Sequence, residues 1–131
     1  MKGNGLGGIG FYTLINKILI IDDEVIVCNA IKSHYILKGY YVEGCSSYQE
    51  FQDNVILEKF DLILLDLNLK DIKGLELLKI IREIHPDIKI IVVSSYLDHI
   101  NISKARELGA FKCISKNSQL FQALDQIFEA I

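Results

Sequence analysis

At 131 residues, half of them hydrophobic and 24% charged, with a formal net charge of −3, the chain has the size and balance of one soluble globular domain and not of a disordered segment. Its apolar runs are too short to cross a bilayer, and its 14 basic residues are scattered instead of forming a stripe that would release counterions from DNA, so neither a membrane nor direct nucleic-acid contact is expected. Cys28, Cys45 and Cys113 are odd in number, far apart and free of CxxC or Cys/His spacing, which argues against a disulfide framework or a zinc site and suits a reducing cytoplasm.

Five of the nine glycines fall in the first ten residues, and Gly3, Gly5 and Gly8 happen to fit GxGxxG. A dinucleotide fingerprint needs a strand before it and a helix after it, and here there is neither. Residues 1–16 are therefore read as a flexible leader, and 17–131 as the domain. A signal peptide is excluded because no sustained apolar core follows Lys2.

From Lys17 onward, β-branched apolar runs alternate with stretches of helical periodicity, the pattern of strands joined by crossover helices into a parallel sheet. The spacing predicts strands over 17–21, 40–45, 61–65, 89–93 and 112–115. The third and fourth contain unbroken apolar runs, as expected of central strands covered on both faces. A first helix over 24–38 carries Ile26, Ala30, Ile31 and Leu37 at helical spacing and ends at Gly39. A second opens at Ser47, with Glu50 three residues on as a capping box. A third opens at Gly74, turns Leu75, Leu78 and Ile81 to the sheet and stops before Pro86. A fourth covers 98–108 and ends at Gly109. A fifth, over 117–131, places Leu120, Ala123, Leu124, Ile127 and Phe128 on one stripe.

In an open parallel sheet the loops leaving the carboxyl ends of the strands share one edge, where ligands bind. The first strand delivers Asp22, Asp23 and Glu24 to that edge, the third Asp66, the fourth Ser94 and the fifth Lys116. Carboxylates brought within about 4 Å repel by about 4 kcal/mol even at an effective dielectric of 20, so a cation belongs among them. Hard oxygen ligands with room for water suit Mg²⁺. The competing explanation for Asp22 to Glu24 is that acids favour the positive end of the following helix. Asp66 ends a buried strand and gains little from structure; a solvated turn is the plain alternative, but a carboxylate so placed can also act as a nucleophile that carries an aspartyl phosphate. Phosphoryl transfer asks mainly for positioning and charge neutralisation. Lys116 would supply an ammonium and Ser94 a hydroxyl hydrogen bond to the phosphoryl oxygens.

An acidic pair after the first strand, the run from Asp66 through Asn68 to Gly74, Ser94 after the fourth strand and Lys116 after the fifth together resemble the receiver domains of two-component response regulators. The resemblance spans 17–131. It implies a doubly wound, flavodoxin-like α/β fold with five parallel strands in the order 2-1-3-4-5 and five flanking helices. It further implies Asp66 as phosphoacceptor, and a Mg²⁺ site from Asp22, Asp23, Asp66 and the backbone carbonyl of Asn68. Lys116 and Ser94 would assist catalysis, and Ser94, Ser95, Tyr96 and Cys113 would form the switch region.

Lys70, Lys73 and Asn117 depart from the common residues of the family, and Cys113 stands where many receivers have an aromatic rotor. Asn117 in place of proline, with serine at the switch position, resembles the LuxR or NarL-type branch, whose receivers precede a helix-turn-helix domain.

The resemblance implies a sensor histidine kinase or histidine phosphotransfer protein as partner, a monomer or phosphorylation-dependent homodimer, and enzymatic content limited to the domain's own phosphorylation and dephosphorylation. His34, His85 and His99 read as surface or helix-end residues. Two alternatives compete: a phosphorylation-independent interaction module of the same fold, and a haloacid-dehalogenase-like hydrolase, whose DxD after the first strand is absent here.

Overall fold

The structure, a computed structural model, describes residues 15–131; residues 1–14, with the GxGxxG match and most of the expected leader, lie outside the described residues. Ile15 packs against the core. The next residue, Asn16, donates its N–H to Asp61 and accepts from Tyr41 N.

Five strands, β1 (Lys17–Ile21), β2 (Tyr41–Cys45), β3 (Leu62–Leu65), β4 (Lys89–Ser94) and β5 (Lys112–Ser115), form one parallel sheet in the order β2-β1-β3-β4-β5. This is the doubly wound α/β architecture expected from the sequence. The helices are α1 (Val25–Leu37), α2 (Tyr48–Asn54), α3 (Gly74–Ile84), α4 (His99–Glu107) and α5 (Leu120–Ala130), with a 3₁₀ turn at Leu57–Lys59.

Successive residues of a strand point to opposite faces, and the unbroken apolar runs of β1, β3 and β4 feed two separate cores. Leu19, Ile21, Ile63, Leu65, Ile90 and Val92 meet Phe51 of α2, Leu77, Leu78 and Ile81 of α3, and Ala105 of α4. Ile18, Ile20, Leu62, Leu64, Ile91 and Val93 meet Cys28, Ile31 and Tyr35 of α1 and Leu120 and Leu124 of α5. Two helices thus cover one face and three the other, so both faces of the apolar runs are hidden from water.

Local chemistry sets the helix ends. Ser47 Oγ accepts from Glu50 N at 3.0 Å, and the Glu50 carboxylate accepts from Ser46 N at 2.6 Å, one residue earlier than a standard capping box. Asp98 caps α4 through Asn101 N at 2.7 Å. Gly39 and Gly109 follow α1 and α4 with φ of 96° and 98°, the left-handed turn that glycine adopts without strain.

Two expectations need correction. On α1 the buried face is Cys28, Ile31 and Tyr35, whereas Ile26 and Leu37 are 86% and 87% exposed and Ala30 also faces water. The helix is apolar on several sides, so its periodicity did not single out the face that packs. α5 begins at Leu120 and not at 117, because Asn117 Oδ1 accepts from Gln119 N at 2.9 Å, a local turn that competes with helix. His34 sits in the last turn of α1, as expected, and is also tied across to α5: its Nε2 lies 3.1 Å from Asp125, which also accepts from the buried Tyr35 hydroxyl at 2.9 Å and pairs with Lys38 at 3.2 Å. His85 and His99 do sit at helix ends.

At the amino ends of β4 and β5, Arg82 of α3 donates to the carbonyls of Pro86 and Ile88, each at 2.7 Å, and of Gly109 at 2.6 Å. One guanidinium thereby ties the end of α3 to the turn after α4.

Candidate functional site

The ladder continues one residue past the strands and delivers the chemistry. Asp22 N donates to Cys45 O at 3.0 Å, Asp66 N to Ile21 O at 2.9 Å and Lys116 N to Ser94 O at 2.9 Å. Ile21 pairs with Leu65 and Leu65 with Val92, so β4 runs on to Ser94, which pairs with Ser115; the four tips leave the same edge in steps, with Ser94 and Lys116 reaching beyond Asp22 and Asp66. Ser94 is itself the last residue of β4 instead of the first after it.

Asp22, Asp23 and Asp66 each present a carboxylate oxygen, all within 4.8 Å of one another. Asp22 and Asp66 are buried. Lys116 Nζ lies 2.7 Å from Asp22 Oδ2, 2.6 Å from Glu24 Oε1 and 3.0 Å from Asp66 Oδ2. Burial pushes the Asp22 carboxyl up to about 6, against the opposing pull of Lys116 and of the Glu24 N–H, which donates to Oδ1 at 2.8 Å. Burial also works against the Lys116 ammonium, but its hydrogen bonds to Asp22, Glu24 and Asp66 prevail and hold its proton above the usual lysine range. One ammonium among four carboxylates leaves an excess of negative charge, and an all-oxygen donor set of this kind fits a hard divalent cation.

The loop after β3 is held at several points. Asn68 N donates to Asp66 Oδ1 at 3.0 Å, and Gly74 N donates to Leu67 O at 3.0 Å. A β-carbon on Gly74 would lie 2.3 Å from Leu67 Cα and 2.8 Å from Asp66 O, so only glycine lets α3 start beneath the Asp66 backbone. Asp71 accepts from Tyr48 N and Gln49 N at 2.9 and 3.0 Å, capping α2 from this loop. The Asn68 side-chain amide donates to Ser94 Oγ at 3.1 Å, linking the loop to the fully buried hydroxyl.

Every strand-tip residue singled out in the sequence, Asp22, Asp23, Asp66, Ser94 and Lys116, thus meets at this edge, and Asn68 stands beside them. Ser95 and Tyr96 are exposed on the segment leading to α4, while Cys113 is half-buried against the α2, α3 and α4 face. Burial raises the Cys28, Cys45 and Cys113 thiols, Cys45 to about 12, as suits apolar packing residues. Sequence reasoning missed Glu24 as a lysine partner, the Asn68 amide and the Asp71 cap. Only Glu24 carried a signal, its place beside the acidic pair.

A model of the response regulator receiver domain family matches residues 18–128. The chain belongs to this family. The receiver domain is 28% identical over 111 residues to sporulation initiation phosphotransferase F of Bacillus subtilis, covering 85% of this chain and 90% of that protein. It is 35% identical over 101 residues to the transcriptional regulatory protein KdpE of Staphylococcus aureus, covering 77% of this chain but only 43% of that regulator. Among solved structures, a CheY-like response regulator receiver domain protein from Methanospirillum hungatei matches it with a TM-score of 0.77 at 29% identity, over 88% of this chain and 93% of that one. The protein is therefore a receiver domain of two-component response regulators, with the five-stranded order seen here. Among the described residues, no helix is long and apolar enough to cross a membrane.

Proposed function

We propose that the receiver domain is a phosphoacceptor switch that takes a phosphoryl group from a phosphohistidine of a sensor kinase or phosphotransfer protein onto Asp66. An Asp66 carboxylate oxygen attacks phosphorus, the P–N bond breaks, and the leaving imidazole takes up a proton, leaving an aspartyl phosphate that water later hydrolyses. The observation that carries this reading is the buried Asp66 carboxylate 3.0 Å from the equally buried Lys116 ammonium and clustered with Asp22 and Asp23.

Asp22, Asp23, Asp66 and the Asn68 backbone carbonyl would hold Mg²⁺, which when bound supplies neutralisation of the charge on the transferring group. Lys116 holds its ammonium at the Asp66 carboxylate, where it meets a phosphoryl oxygen. Ser94 presents a hydroxyl within reach of the Asn68 amide and exchanges that partner for the phosphoryl group. The change of partner biases the segment through Ser95 and Tyr96, with α4 and Cys113 behind it, between two packings. The domain acts in the cytoplasm, as a monomer or a phosphorylation-dependent homodimer. The transcriptional regulatory protein KdpE is more than twice as long as the segment that matches here, which supports transcriptional output through a further region of a longer protein; a LuxR or NarL-type helix-turn-helix for that region rests on Asn117 and Ser94 alone.

Incubation with acetyl phosphate and Mg²⁺, followed by phosphate-affinity electrophoresis, tests the assignment. A retarded band lost in Asp66→Asn is expected. Labelling that survives this substitution, or no labelling of the native protein, would favour a phosphorylation-independent interaction module. Changes in the amide spectrum of α4 on adding beryllofluoride are expected as well, and an unchanged spectrum would count against the switch.

A further inference from the structure

Glu24 has no part in the roles assigned above, yet it makes the shortest of the three contacts to Lys116, at 2.6 Å. An ammonium has three N–H donors, and here all three meet carboxylates: Asp22 at 2.7 Å, Glu24 at 2.6 Å and Asp66 at 3.0 Å. Two of these acceptors, Asp22 and Asp66, also belong to the cluster of carboxylate oxygens lying within 4.8 Å of one another, and Glu24 does not. A divalent cation and Lys116 therefore compete for Asp22 and Asp66, while Glu24 interacts with the lysine alone.

The backbone fixes Glu24 for this role. Its N–H donates to Asp22 Oδ1 at 2.8 Å and its carbonyl accepts from Cys28 N at 2.9 Å, in the first turn of α1. The side chain reaches from the mouth of that helix across to β5, bridging residues 92 apart in sequence. The Lys116 side chain is only 5% exposed, whereas that of Glu24 is 51% exposed. An ammonium so enclosed has little water to retreat to, and Glu24 is its one carboxylate partner outside the cluster.

We propose that Glu24 is a positioning residue that retains the Lys116 ammonium when Asp22 and Asp66 turn to a bound divalent cation, keeping the lysine beside the acceptor without blocking the metal. The proposal rests on the phosphoacceptor reading. Without Glu24 the ammonium stays on Asp22 and Asp66 and the metal binds less tightly.

Calorimetric titration with Mg²⁺ of the unphosphorylated protein provides a readout independent of phosphoryl transfer. Glu24→Gln is expected to weaken Mg²⁺ binding by about threefold to fivefold, the scale of a partly solvated ion pair. Glu24→Asp keeps the charge but is one methylene too short to reach the ammonium, so it should weaken binding to a similar degree. In a Lys116→Met background, Glu24→Gln should change the affinity by less than about twofold.

Native affinity in Glu24→Asp would mean that Glu24 acts only as a diffuse negative charge and would overturn the proposal, as would equal weakening with and without Lys116. These two tests stand independently, so an unfolded Lys116→Met protein leaves the Glu24→Asp result decisive. If the native protein binds Mg²⁺ and is labelled at Asp66 while the Glu24 variants bind normally, this inference alone fails. A native protein that never binds Mg²⁺ overturns the metal-assisted reading and this inference with it.

Discussion

Asp22 shows how one buried group links the chemistry of the site to the stability of the domain. Its carboxyl is pushed up to about 6 from an ordinary 3.8, so the folded protein holds this proton more firmly than the unfolded chain does. Between about pH 4 and pH 6 the unfolded state loses the proton first, and the Asp22 contribution to stability falls as pH rises, by on the order of 2–3 kcal/mol in the metal-free protein. Asp22→Asn should remove that slope. Urea denaturation at pH 4.5 and pH 7 without Mg²⁺ is expected to show the variant gaining on the native protein at the higher pH, while calorimetry shows its Mg²⁺ binding weakened. Gly74 offers a second test at this scale, because a β-carbon there would meet the backbone at 2.3 Å. Gly74→Ala is expected to cost roughly 2–3 kcal/mol in urea denaturation and to reduce Asp66 labelling by displacing the acceptor backbone.

Among the elements, α1 and α4 are anchored very differently. α1 buries Cys28, Ile31 and Tyr35 and is tied to α5 through Asp125, which receives Tyr35, His34 and Lys38. Burial pushes the Asp125 carboxyl up, but these three donors prevail and hold it below the usual range. Asp125→Asn should cost about 1–3 kcal/mol, since the buried Tyr35 hydroxyl and the two basic side chains lose a charged acceptor; a thermal melt would register the loss. α4, by contrast, buries only Ala105. Its amides are expected to exchange with solvent faster than those of α3, which buries Leu77, Leu78 and Ile81, and native-state hydrogen exchange checks this. The strands were readable in the sequence because runs such as Leu62 to Leu65 have no polar residue to assign to a solvent face. The packing face of α1 was not, because Ile26 and Leu37 are as apolar as Ile31 and only the sheet chooses between them. Likewise the positions after the strands revealed Asp22, Asp66 and Lys116, whereas the Glu24 contact to Lys116 depends on a side chain spanning two elements, which no local pattern encodes.

For the whole molecule, the two cores and the shared sheet make folding and the site interdependent. The same parallel sheet that separates the cores also gathers Asp22, Asp66, Ser94 and Lys116 at one edge. A cation bound by the folded site, and not by the unfolded chain, adds about 2.7 kcal/mol at a hundredfold excess over its Kd. Removing Mg²⁺ with a chelator should therefore lower the melting temperature by roughly 5–10 °C, and Asp66→Asn should reduce that shift.

Arg82 joins these scales. Its guanidinium fastens the Gly109 carbonyl, just past the final residues of α4, at 2.6 Å, far from Ser94. With that carbonyl held and only Ala105 of α4 buried, a displacement of α4 is expected to be larger at its start than at its end. On the phosphoacceptor reading proposed above, the exposed side chains of Tyr96 and Ile100 would then move more than Leu108.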